Sequence, residues 1–155
     1  MNHVPIPENP MKHFVLAAAA LFLIHSVDAS AEGRARVAGA RANAQGGVTA
    51  GSAAAASGPN GGQAARAGAF QRNADGSGTR TGGFAASGTQ GNVASTGSAT
   101  RNADGSVSGL RQTSASAASG ETYNGQTTYD STSGVSHTGT CTDANGNVVT
   151  CPKPQ

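Results

Sequence analysis

Residues 72–77 read RNADGS, and 29 positions later residues 101–106 read RNADGS again. Within each copy, Asn-Ala-Asp-Gly has the composition of a tight turn. Asn and Asp hydrogen-bond back to their own backbone, and Gly adopts the left-handed conformation that closes a bulged hairpin. The same shape recurs as NAQG (43–46), GPNG (58–61), GTQG (88–91), AASG (117–120), STSG (131–134) and DANG (143–146). The closing glycines Gly46, Gly61, Gly76, Gly91, Gly105, Gly120, Gly134 and Gly146 stand 15, 15, 15, 14, 15, 14 and 12 residues apart. Five of the seven valines after residue 31 follow one of these glycines by one or two positions, so the period extends beyond glycine alone.

Each unit leaves 10 or 11 residues between turns, enough for a strand of about 33 Å. The expected fold is all-β, with about nine short strands running from Gly33 to Cys151 as a repetitive hairpin meander or a β-solenoid-like sheet. A largely disordered chain is the alternative. Two strands and two turns separate the copies of RNADGS, which places both at the same edge of the sheet.

Composition limits what such strands can bury. Residues 32–155 contain one Leu, no Ile, seven Val and two Phe among 124 residues. That apolar share is far below the roughly 20% at which a chain ordinarily has enough mass for a core. Gly, Ala, Ser and Thr fill the strands instead, and their small side chains remove little area from water at about 25 cal/mol per Å². Order must therefore come from backbone pairing, stacking or a partner.

The N-terminal segment supplies the compartment. Met11-Lys12-His13 precedes an apolar run from Phe14 to Val27 and an Ala29-Ser30-Ala31 site, the composition of a secretory signal over residues 11–31. The run is shorter than the roughly 20 residues that span a bilayer. Residues 1–10 read as an upstream extension, with Met11 an alternative start. The expected mature region is 32–155, secreted to the extracellular space, cell surface or periplasm, with no stable membrane insertion after signal removal.

The glycine-punctuated period and runs such as GGVTAGSAAAASG (46–58) resemble the parallel β-roll heads of trimeric autotransporter adhesins. The sequence departs from that family in carrying no coiled-coil stalk and no membrane-barrel segment. Secreted amyloid subunits of the curli type also repeat strand-turn units, but their Gln/Asn ladders at fixed positions are not evident here.

Cys141 and Cys151 bracket a loop centred on Gly146, TDANGNVVT. Behind a secretory signal, this pair reads as a disulfide closing the last hairpin, 141–151. The rival is a metal site of Cys141, Cys151 and His137, but these residues lack the close ligand spacing of such sites. Ser136, His137 and Asp130 are near in sequence, yet no nucleophile elbow frames them and serine is abundant. Asp75, Asp104 and Asp143 each supply one carboxylate to a turn, too few for a calcium loop. Thr138, Thr140 and Thr142 share one strand face and could order water or glycan, although threonine is simply a good strand former.

Nine basic and six acidic residues after position 31 leave the region at about +3. The arginines are dispersed along the chain and aromatics are few, so no nucleic-acid partner is expected. Together these features point to a non-enzymatic structural or surface protein without cofactors, self-associating through sheet edges or by stacking. A disordered extracellular spacer or matrix component, and a glycan-, ion- or ice-binding module, are the alternatives.

Overall fold

A computed structural model describes residues 33–151. The segments read as an upstream extension (1–10) and a secretory signal (11–31) lie outside the described residues. The described chain folds into one sheet of nine strands in sequence order: β1 (Gly33–Ala42), β2 (Val48–Ser57), β3 (Gln63–Arg72), β4 (Gly78–Gly88), β5 (Gly91–Arg101), β6 (Val107–Ala117), β7 (Thr122–Asp130), β8 (Gly134–Thr142) and β9 (Val148–Val149). Every pairing is antiparallel, each strand with its chain neighbour. The meander is thus the fold, and the solenoid and the parallel β-roll are not.

The turns explain why. All eight glycines expected to close turns have positive φ, from 68° at Gly46 to 132° at Gly91. At Asn43, a type I turn bonds Gly46 N–H to Asn43 C=O at 3.2 Å, and Asn43 N–H then bonds Gly47 C=O at 3.0 Å. This bulged connection reverses the chain within three residues, whereas parallel neighbours need a crossover of a dozen or more. The same pair of bonds forms at Gly58, Asn73, Asn102, Ala117 and Asp143. At Thr89-Gln90 the connection is shorter, because Gly88 and Gly91 pair directly.

The two RNADGS copies lie at the same end of the sheet, where their turns are built alike. Ser77 and Ser106 each donate backbone N–H and side-chain hydroxyl to Asp75 and Asp104 respectively, at 2.6–2.9 Å. The turn beginning at Asn43 docks beside the first copy, with Asn43 Nδ2 donating to the Arg72 carbonyl at 3.1 Å.

This sheet has no conventional core. Among the described residues only Ser95, at 2% exposure, and Cys141, at 8%, are buried. Each strand packs on its neighbours alone, so backbone ladders supply most of the cohesion, at a net of about 0.5–1.5 kcal/mol per hydrogen bond. At the C-terminal end a disulfide joins Cys141 and Cys151, whose Cα atoms are 5.2 Å apart. The ladder partner of Cys141 is Val149, so the bridge runs diagonally to a residue two positions further on.

Candidate functional site

Antiparallel partners project to the same face, and alternate residues along a strand project to opposite faces. Following the register across the sheet therefore sorts every side chain. One face receives Arg34, Arg36, Arg66, Arg72, Arg80, Arg101 and Arg111, together with Phe70, Phe84, Tyr123, Tyr129 and His137. No strand residue on that face is acidic among the described residues. The opposite face is built from Ala, Gly, Ser, Thr, Asn and Gln, with Val37 and Leu110; among the described strand residues its only charges are Arg41 and Asp130.

The centre of the arginine face rests on a duplication that the turn period conceals. Residues 66–70 read RAGAF and residues 80–84 read RTGGF, both of the form R-x-G-x-F. Pairing of β3 with β4 sets Arg66 across from Phe84, Gly68 across from Gly82, and Phe70 across from Arg80. A glycine trough, continued by Gly97 on β5, thus lies between two Arg/Phe pairs. Phe70 is 47% exposed and Phe84 36%.

Arg111 ties this region together. Its guanidinium lies 5.7 Å from the Phe84 ring centroid, and its Nε donates to Ser95 Oγ at 2.9 Å. Ser95 in turn donates to the Gln112 carbonyl at 3.0 Å and meets Thr113 Oγ1 at 2.9 Å, so its burial leaves no polar atom unpaired. At the RNADGS end, Arg72, Gly78 and Arg101 form one cross-strand row, with bare glycine between the two arginines. Arg80 projects to the same face two residues along β4. By strand geometry these three arginines are rooted within about 10 Å of one another.

The small-residue face carries two shallow hollows. One, of about 580 Å³, is lined by Ala35, Ala55, Ala65, Ala85 and Ala94. The other, of about 530 Å³, is lined by Thr96, Gln112, Gln126, Thr138 and Thr140. Thr138, Thr140 and Thr142 do share this face, and Thr142 Oγ1 lies 2.7 Å from Thr122 Oγ1. Gln112 donates to Gln126 at 3.4 Å, a single amide pair that does not extend into a ladder.

The catalytic and metal constellations weighed from sequence are not assembled. Cys141 and Cys151 are consumed in the disulfide. His137 meets Thr127 Oγ1 at 2.8 Å and Tyr123 Oη at 3.2 Å, while Ser136 and Asp130 project to the other face. The turn carboxylates serve their own backbones. Ser77 holds Asp75 below the usual carboxylate range, first through its hydroxyl and then its N–H, and Ser106 does the same for Asp104. The Asn147 side chain lowers Asp143, and the N–H groups of Thr132 and Ser133 lower Asp130.

Gathering of the arginines was hidden by parity. On the arginine face, strand residues β1–β4 carry even numbers and β5–β8 odd ones, because only the Thr89-Gln90 turn pairs residues whose numbers sum to an odd value. Comparison with protein families, curated proteins and solved structures finds no match for this chain.

Proposed function

We propose that the chain is a secreted, non-enzymatic structural protein that self-associates by stacking its small-residue face on the same face of a second copy. The observation that carries this reading is a nine-stranded layer in which only Ser95 and Cys141 are buried among the described residues. A sheet so poor in internal burial gains most by covering one face with another sheet. Alanine and glycine allow close approach, and the apparent secretory signal at 11–31 supplies the route out of the cell.

Charge placement favours a specific stacking geometry. Arg41 on β1 and Asp130 on β7 occupy the same cross-strand row and are equally far from β4. They lie about 29 Å apart, six strand spacings, too far to pair within one chain. A two-fold axis along β4 sets each Arg41 against the partner copy's aspartate. Edge pairing is less favoured, because joining two β1 edges would bring together two sets of Arg34, Arg36 and Arg41.

Sedimentation velocity of the full chain across a hundredfold concentration range tests the proposal. A dimer that dissociates in Ala85→Lys, and weakens about tenfold in Arg41→Glu, is the expected result. A β-rich chain that remains monomeric throughout would overturn it.

A further inference from the structure

We propose that the arginine face is a binding surface for single-stranded nucleic acid, centred on Phe70, Arg72, Arg80 and Arg101. The sequence-based expectation of no nucleic-acid partner rested on the dispersion of arginine along the chain and on the small number of aromatics. The sheet removes the first ground, since seven of the eight arginines among the described residues project to one face, and it gathers Phe70, Phe84, Tyr123 and Tyr129 on that face as well. Asp75 and Asp104 are the carboxylates nearest this cluster in sequence, and both are engaged by their turn serines.

Two features select a single strand over other polyanions. First, Phe70 is half-exposed directly beside Arg80, and Arg72 follows it on the same face of β3. This unit offers a stacking surface with adjoining cations, the combination that single strands use for base and phosphate together. Second, the face is an open sheet surface, and Gly68, Gly82 and Gly97 leave bare backbone between the two Arg/Phe pairs. The face of a nine-stranded sheet is too broad to enter a duplex groove, where readout requires a helix or a β-ribbon to enter. Splayed bases, by contrast, can lie down on an open sheet bearing exposed aromatics. An acidic polysaccharide or an anionic lipid surface would use the arginines but would gain less from the phenylalanine.

The leading residues of both RNADGS copies thereby acquire a role. Arg72 and Arg101 flank Gly78 in one row, so an anion held there meets two guanidiniums across exposed backbone, with Arg80 as the third.

Fluorescence anisotropy with a labelled mixed-sequence 20-nucleotide DNA strand, titrated with the full oxidised chain over a series of salt concentrations, tests this inference. Binding should weaken linearly in log–log salt. The triple substitution Arg72→Gln, Arg80→Gln, Arg101→Gln should weaken it and reduce the slope by about 2, at roughly 0.7 for each phosphate no longer neutralised. Phe70→Leu should weaken binding about 5-fold or more without changing the slope. Circular dichroism of each variant verifies that the sheet persists. Absence of binding at low salt overturns the proposal. Equal affinity for heparin or phosphatidylglycerol vesicles, with Phe70→Leu neutral, also overturns it in favour of an unspecific cationic face. The small-residue face takes no part, so a chain that does not dimerise can still pass this test.

Discussion

The hydroxyl of Tyr123 reaches 3.2 Å from His137 Nε2 on the neighbouring strand, and the glycines beside it make this contact feasible. A Cβ at Gly125 would overlap the Tyr123 hydroxyl oxygen, and one at Gly139 would fall 3.0 Å from its ring. The ring therefore lies flat over two bare stretches of backbone, shielding ladder bonds that a sheet without a core otherwise leaves open to water. Gly125→Ala is expected to lift the ring and break the tyrosine–histidine contact. Loss of the upfield ring-current shift on the Gly139 α-protons in NMR spectra would report it, and unchanged shifts would refute the arrangement.

The positive φ of the turn glycines yields a second prediction. Gly105 has φ of 89°, and a Cβ there would meet nothing within 4 Å, so substitution strains the backbone without a clash. Gly105→Ala should cost about 1–2 kcal/mol, the left-handed penalty for an L-residue. Gly105→Asn should cost less, because asparagine tolerates that region. Urea denaturation of the two variants measures both.

Acid should loosen the RNADGS end of the sheet. The carboxyls of Asp75 and Asp104 are lowered in the folded chain, chiefly by the hydroxyls of Ser77 and Ser106. A depressed folded pKa means that the unfolded chain binds protons more readily. The stabilisation is complete above the ordinary aspartate range, about pH 4, and is lost as the pH falls through the lower folded values. Amide exchange at Ser77 and Ser106 should accelerate below about pH 4 beyond the intrinsic trend. The effect should disappear in Asp75→Asn, Asp104→Asn.

Reduction of the disulfide should act locally and through the unfolded state. The bridge closes a loop of sequence separation 10, for which the chain-entropy relation gives about 2–3 kcal/mol. Urea denaturation of the reduced protein should give an unfolding free energy lower by about that amount, with a lower midpoint. Exchange protection should fall first at Cys141, Thr142, Val148 and Val149, the residues of the short β8–β9 ladder. Uniform loss of protection from β2 to β6 would contradict a local staple.

Much of the fold was legible because its punctuation is chemical. A residue held at positive φ favours Gly, and a bulged turn favours Asn or Asp ahead of it, so Asn73 to Gly76 and Asn102 to Gly105 announce themselves. Even AASG and STSG, which contain neither Asn nor Asp, place Gly120 and Gly134 where the period puts them, with φ of 103° and 84°. The number of strands and the reach of the C-terminal bridge follow from those positions. Strand direction was not legible from the spacing alone, since parallel coils share such periods; it required the three-residue turn geometry seen at Asn43. The arginine face was less legible still. Assigning Arg66 and Arg111 to one side depends on knowing that one connection is shorter than the others, and Ser95 gave no sequence sign that it would sit beneath a guanidinium.

That shorter connection makes the chain behave like a printed strip with a half-step in its feed. Because Thr89 and Gln90 alone bridge Gly88 and Gly91, every side chain downstream is printed on the side opposite to the one a bulged turn would give it. A variant whose β4–β5 register slipped by one residue, so that Gly88 faced Asn92 across a three-residue turn, would leave the backbone a meander while transferring Arg101, Arg111, Tyr123 and His137 to the alanine side. Such a variant would keep its strands, its turns and its net charge, yet present two mixed surfaces in place of two distinct ones. Point substitutions elsewhere edit a surface one side chain at a time, whereas a one-residue slip of register at this connection rewrites both surfaces at once.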